Sequence, residues 1–194
     1  MSIKNSYQNN GSMKNSKFKH YSILVIILFS FWVSLSGVIE AKFLTIGLVT
    51  ALVATWATGP LLRLPSTDGK GFFYVFDLPY IKYFSYLAWL LKEIIKSNID
   101  ILKILLNPKM PINPQIIKFK KSMKNPIAHV TLGNSITLTP GTVTLDIEGE
   151  DTYVIHAIND ATAEALVPKN GEGEMQQRVA ALFGEELGQG VRSY

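Results

Sequence analysis

Cysteine is absent from this sequence. Disulfides, thiolate metal sites and a cysteine nucleophile are therefore excluded. Histidine is almost as scarce: His20, His129 and His156 are scattered, without the spacing of a helical metal pair. No histidine-based zinc site is expected, and no cofactor. The glycine signatures of nucleophile elbows, P-loops and dinucleotide folds do not occur, so Gly141, Gly149, Gly171 and Gly173 read as turn or linker glycines.

Charge is missing from two long runs. Residues 21 to 39, YSILVIILFSFWVSLSGVI, hold no ionisable group except the phenol of Tyr21, and residues 43 to 62, FLTIGLVTALVATWATGPLL, hold none. Each run matches the roughly 20 residues that cross ~30 Å of hydrocarbon as a helix. Glu40, Ala41 and Lys42 alone connect them, which predicts a tight transmembrane hairpin. A cleaved signal peptide is the rival for the first run, with Ser34-Leu35-Ser36 as a small-x-small site, but the polar lead of residues 1 to 20 is long and a second span follows at once. Lys14, Lys17 and Lys19 precede the first span, and Arg63 and Lys70 follow the second. The positive-inside bias then puts both ends in the cytoplasm.

Small residues stripe both spans: Ser30, Ser34 and Gly37 on the first, and Gly47, Ala51, Ala54, Thr55, Thr58 and Gly59 on the second. Such stripes allow close helix packing in a membrane, although small residues are common in any membrane helix. A proton or sodium path needs Asp, Glu, Lys or His within the membrane, and neither run supplies one. The hairpin alone is not expected to carry an ion.

The net charge of +4 conceals a polarity along the chain. Up to residue 124 there are sixteen Lys/Arg against five Asp/Glu, whereas from 125 onward there are three against ten. The basic clusters flank apolar runs and offer few stacking aromatics, so a bilayer with anionic headgroups is the expected partner and nucleic acid is not.

Nine aromatics crowd residues 72 to 89, a density suited to a membrane interface. The following stretch sets Leu87, Leu91, Ile94, Ile95, Ile99, Leu102 and Leu105 or Leu106 on one side and Lys92, Lys96, Asp100 and Lys103 on the other. Burying these charges at mid-bilayer costs about 2.5–3.5 kcal/mol each, so residues 72 to 106 read as an interfacial amphipathic helix, not a third span. A soluble helix packed on the tail domain has the same periodicity and remains the alternative.

Asn107-Pro108, Pro111 and Pro114 stop that helix and open a small α+β domain over residues 107 to 160. A basic strand is expected over 115 to 121. A helix capped by Asn125 and begun by Pro126 should run to the Pro140-Gly141 corner. Strands at 142 to 148 and 152 to 158 should follow as a hairpin. The other reading makes 136-ITLT-PG-TVTL-145 the hairpin itself, but L-Pro-Gly turns splay two-residue hairpins. The acidic tail, 161 to 194, includes an amphipathic segment at 174 to 187 that reads as a docking helix or as disorder.

An enzyme would need a constellation such as His156, Asp146 and a threonine. Alternation along 142 to 148 instead puts Asp146 on the face of Thr142 and Thr144, toward solvent, and a structural role accounts for His156.

The two-span hairpin, the segment 89-WLLKEIIKSNIDILKILLNP-108 and above all 134-NSITLTPGTVTLDIEGEDTYVIHAI-158 resemble the E subunit of the Mrp-type multisubunit cation/proton antiporters, also called the Mnh or Pha family. The resemblance covers roughly residues 21 to 160. It implies a bacterial plasma-membrane complex, built of six or seven integral membrane proteins, that exchanges sodium, in some members potassium, for protons. It also implies an accessory or assembly role for this chain and conduction by larger ones. The family motif falls on Thr137, Thr139, Pro140, Gly141 and Thr142, with Asp146 and His156 on the following strands. Structural and contact roles are expected for all seven.

Overall fold

The computed structural model describes residues 10–149, 151–168, 171–186 and 192–193, which divide into two compact units. The first holds the apolar runs. Helix α1 (Asn10–Ser36) and helix α2 (Ala41–Thr58) form an antiparallel pair, and a 3-10 turn, Gly59–Leu62, continues α2. Their apolar stretches, Lys17–Ser36 and Ala41–Leu62, are long and apolar enough to cross a membrane. The connector lies at 37 to 40, slightly before the expected Glu40-Ala41-Lys42, because Gly37 ends α1 with its N–H on the Val33 carbonyl. Of the polar lead, residues 1 to 9 lie outside the described residues, and the remainder begins α1.

The seam between α1 and α2 is large against small. Gly47, Ala51 and Thr55 are the buried positions of α2, one turn apart. A Cβ on Gly47 would overlap the Trp32 ring, and one on Gly59 would overlap the Tyr21 ring. Bulk on one helix thus fills the grooves that glycine opens on the other. Two short strands follow, β1 (Arg63–Pro65) and β2 (Phe72–Tyr74), paired antiparallel. The Arg63 guanidinium lies 3.5 Å from the Phe72 ring centroid. His20 is buried at the foot of α1, stacked on Tyr74 at 4.4 Å, with Nε2 3.1 Å from Asp77 Oδ1.

The second unit is an antiparallel sheet with helices on one face. Its strands are β3 (Gln115–Lys120), β4 (Thr142–Glu148), β5 (Thr152–Ala157) and β6 (Arg192–Ser193), in the order β4-β5-β3-β6. Alternation sends Ile117 and Phe119 from β3, and Tyr153, Ile155 and Ala157 from β5, into the core. The helices over them are α3 (Tyr80–Leu106), α4 (Pro126–Leu138), α5 (Asp160–Leu166) and α6 (Glu174–Phe183). Their buried residues, among them Tyr86, Leu90, Leu132, Ile136, Leu166 and Val179, complete one hydrophobic cluster. Asn125 caps α4 as its sequence implies, its side chain accepting the Ile127 N–H at 2.9 Å.

The segment at 174 to 187 neither hangs free nor lacks structure through residue 186. Met175, Val179 and Leu182 bury one face of α6 in the core, so its periodicity serves internal packing; Leu187 lies outside the described residues. The acidic segment also meets the basic one. Lys121 Nζ and Glu172 Oε1 pair at 2.7 Å, almost wholly buried, and Lys121 Nζ also donates to the Glu186 carbonyl. The Glu185 carboxylate accepts the backbone N–H groups of Lys124 and Asn125 just ahead of α4. Part of the charge polarity of the sequence is therefore neutralised within this unit.

Candidate functional site

The corner at residues 137 to 144 is built almost entirely from threonine hydroxyls satisfying helix-end carbonyls. Helix α4 stops because Pro140 has no N–H to continue it and restrains Thr139 to an extended conformation, φ −85° and ψ 114°. Four carbonyls at a helix end lack intrahelical partners. Thr139 Oγ1 donates to the Ser135 carbonyl at 2.8 Å, and Thr142 Oγ1 reaches the Ile136 carbonyl at 2.7 Å and the Thr139 carbonyl at 3.0 Å. Thr144 Oγ1 donates to the Gly133 carbonyl at 2.9 Å, and Thr137 Oγ1 accepts the Thr144 N–H at 3.2 Å. The threonines lace the first residues of β4 to the last turn of α4.

Gly141 makes the turn possible. Its φ is +96°, and a Cβ there would sit 3.2 Å from both Ile101 and Ile158 side-chain carbons and 3.4 Å from Thr162. Its carbonyl accepts the Ile158 N–H at 2.9 Å, which fixes β4 to the end of β5.

The faces of β4 differ from simple alternation. Thr142 is buried and Thr144 half-buried, both turned to α4, whereas Val143 and Leu145 are exposed. The inner face accepts threonine because the Gly133, Ile136 and Thr139 carbonyls accept its hydroxyls there. A bulge between Thr144 and Asp146 then shifts the register, so that Asp146 pairs with Val154 on the outer face and Ile147 pairs with Tyr153 on the inner one. Asp146 is exposed as expected, but it does not share a face with Thr142 and Thr144. His156, opposite Val143 and Ile116, is on the outer face too. The corner threonines and His156 are on opposite sides of the sheet, so none of those hydroxyls is set beside that imidazole.

The corner lines one wall of a groove of about 480 Å³, with Thr139, Pro140 and Thr142 on one side and Trp89, Glu93, Lys96 and Asp100 of α3 on the other. Helix α3 packs on the α+β part through Tyr86 and Leu90, as the alternative reading of its periodicity has it. Tyr86 O–H donates to Ser135 Oγ at 2.7 Å, in the turn that carries Thr139, and burial pushes its pKa up to about 12 against the opposing effect of that bond. The Arg178 guanidinium of α6 lies 4.5 Å from the Trp89 ring centroid. The hydrogen bond from Lys103 holds the Asp100 carboxyl below the usual carboxylate range. Beyond the helical periodicity of this stretch, the sequence signal for this wall is that Tyr86 and Leu90 stand four residues apart, one turn of a helix.

The remaining expected residues, those for membrane packing, separate. Gly47, Ala51, Thr55 and Gly59 are buried along α2, while Ser30, Ser34 and Gly37 are exposed on α1. Among the described residues no group of three or more His, Asp or Glu side chains is placed to hold a metal.

The Na+/H+ ion antiporter subunit family model, MNHE, matches residues 25–182. The E1 subunit of the Na+/H+ antiporter of Staphylococcus haemolyticus is 33% identical over 174 residues, covering 84% of this chain and 97% of that protein. Its counterpart in Staphylococcus aureus is 31% identical over 146 residues, with coverage of 75% and 86%. Among solved structures, a chain of the membrane-bound sulfane sulfur reductase, an archaeal respiratory membrane complex, is 34% identical with a TM-score of 0.56, covering 72% of this chain and 83% of that one. The match across both the apolar hairpin and the threonine corner means that the chain belongs to the MnhE family, the E subunits of the multisubunit Na+/H+ antiporters.

Proposed function

We propose that this protein serves the antiporter as an accessory and assembly part and is not itself the ion path. The carrying observation is the polarity of the hairpin. Between Tyr21 and Ile39, and between Phe43 and Leu62, there is no charged side chain. The hydroxyls of Thr50 and Thr58 are turned onto the carbonyls of their own helix, four residues back. A cation or proton crossing at this point would lack the ionisable groups such paths use. The likeness to a chain of a sulfane sulfur reductase supports the same view. A module present in two membrane complexes with different reactions fits a supporting role better than a catalytic one.

In this reading the hairpin crosses the bacterial plasma membrane twice with both chain ends cytoplasmic, as Lys17 and Lys19 before it and Arg63 and Lys70 after it favour. The lead, residues 1 to 20, and the whole α+β part then lie on the cytoplasmic side, and α3 runs along that face of the bilayer. Residues 107 to 160 carry the corner and the outer sheet face, and Leu166, Met175, Val179 and Leu182 of the tail complete the core beside them. Thr137, Thr139, Pro140, Gly141 and Thr142 set a rigid corner, while Asp146 and His156 offer contacts on the outer sheet face and no catalysis. A scaffold recruiting a partner through its acidic tail has less support, because Met175, Val179 and Leu182 already commit α6 to the core.

The test is deletion of this chain with antiport assayed in everted vesicles and the other subunits followed by affinity purification. Loss of antiport together with incomplete recovery of the complex is expected. Normal antiport without this chain would overturn the reading.

A further inference from the structure

Helix α3 has three faces, and only two are occupied within its unit. Tyr86 and Leu90 are buried in the core, and Glu93, Lys96 and Asp100 line the groove beside the corner. The third face carries Ile81, Phe84, Leu91, Ile95, Leu102 and Leu106, each more than half exposed. From Ile81 to Leu106 this strip runs about 38 Å at the helical rise per residue. An exposed apolar surface of that length marks a membrane or partner contact.

We propose that this strip is a lipid-binding face, lying in the plane of the membrane with its side chains among acyl chains and its basic edge at anionic headgroups. The inference rests on the cytoplasmic placement proposed above, and three observations select lipid over a protein helix. The strip is dominated by long aliphatic and aromatic side chains, with Ala88 the small residue along its line. The seam of α2 shows what close helix packing in this chain uses instead: Gly47, Ala51 and Thr55. Lys92 adjoins the strip on one edge by the 100° step of the helix, where a long amine side chain reaches headgroups while its stem covers apolar surface, and Lys103, paired with Asp100 at 2.7 Å, lies on the same edge. Finally, the polar side is engaged with the corner and α6, so α3 cannot roll to span the bilayer without exposing Tyr86 and Leu90. An in-plane amphipathic helix satisfies all three.

The absence of native cysteine permits a direct test on the full chain and on the assembled complex. Single cysteines replacing Leu91, Ile95 and Leu102 are labelled with an environment-sensitive fluorophore, alongside Lys96→Cys and, within the span, Val53→Cys. The protein is reconstituted in phosphatidylcholine vesicles with and without phosphatidylglycerol, and quenched by brominated acyl chains or by aqueous iodide. The strip positions should be quenched by bromolipid about as strongly as position 53 and several-fold less by iodide than position 96. Joint Lys92→Gln and Lys103→Gln replacement should reduce bromolipid quenching in the phosphatidylglycerol vesicles only. Iodide access to the strip in the assembled complex overturns the proposal. So does shielding from both quenchers that appears only with the other subunits, which would identify a protein partner. Failure of bromolipid to reach position 53 would instead overturn the membrane-hairpin reading on which the proposal rests.

Discussion

Tyr86 and Ser135, far apart in sequence, share a buried hydrogen bond of 2.7 Å that ties helix α3 to the last turns of α4. Ser135 passes the connection on: its hydroxyl donates to the Thr131 carbonyl and its carbonyl accepts Thr139 Oγ1. Ser135 therefore holds the long helix through its hydroxyl and the Pro140-Gly141 corner through its carbonyl.

Tyr86→Phe keeps the ring in the core and removes only the O–H. The expected loss is about 1 kcal/mol, read from denaturant or thermal unfolding of the full chain in detergent. The pH profile carries a second signature. Tyr86 binds its proton more tightly folded than unfolded, rising from 10.0 to about 12, so its contribution is intact below pH 10 and falls as pH climbs toward 12. The phenylalanine variant should lack that part of the alkaline decline.

Gly141→Val forces a β-branched residue into φ +96° with neighbours at 3.2 Å. A cost on the order of 1–3 kcal/mol is expected for the backbone alone. Complex assembly should fall, measured as recovery of the other subunits on an affinity tag. Pro140→Gly should act in the same direction and more weakly, since it loosens the corner without crowding it. Intact assembly with abolished transport would assign the corner a direct role in gating.

Gly47→Leu should disrupt the α1–α2 seam, because the Trp32 ring occupies the space that the side chain needs. Ser30→Leu, on an exposed position of α1, should leave the hairpin fold intact. Protease resistance of the hairpin in detergent distinguishes the two. If Ser30→Leu nevertheless prevents recovery of the complex, that stripe is where a helix of another subunit packs.

Replacing both Asp146 and His156 with alanine should leave antiport per assembled complex unchanged in everted vesicles. Both side chains are on the outer sheet face, away from the threonine hydroxyls. Transport lost from fully assembled complexes would show that they do more than make contacts.

Much of this molecule was legible in its sequence because local rules agreed there. Runs without charge marked α1 and α2, Asn125-Pro126 marked the start of α4, and Pro140-Gly141 marked its end. The misread face of β4 had a specific cause. Threonine counted as an outward residue, yet the carbonyls at the end of α4 make the inner face polar where Thr142 and Thr144 sit, and the bulge then reverses the strand's alternation. The fate of the acidic tail was hidden for another reason. Amphipathic periodicity shows that α6 has an apolar face, but not whether that face meets a partner or its own core. The groove wall on α3 depends on tertiary contacts with Ser135 and Arg178 that no local pattern encodes.

The buried Lys121–Glu172 pair sets an order of events during synthesis. Lys121 follows β3 directly, and its ammonium has no buried counter-charge until Glu172 has left the ribosome, about fifty residues and several seconds later at ordinary elongation rates. The α1–α2 hairpin is complete long before that and needs nothing downstream to reach the bilayer. The contacts that close the α+β unit thus depend on residues that emerge last, with Glu185 reaching the start of α4. A chain ended before Glu172 would leave Lys121 without its buried counter-charge and the start of α4 without the Glu185 carboxylate.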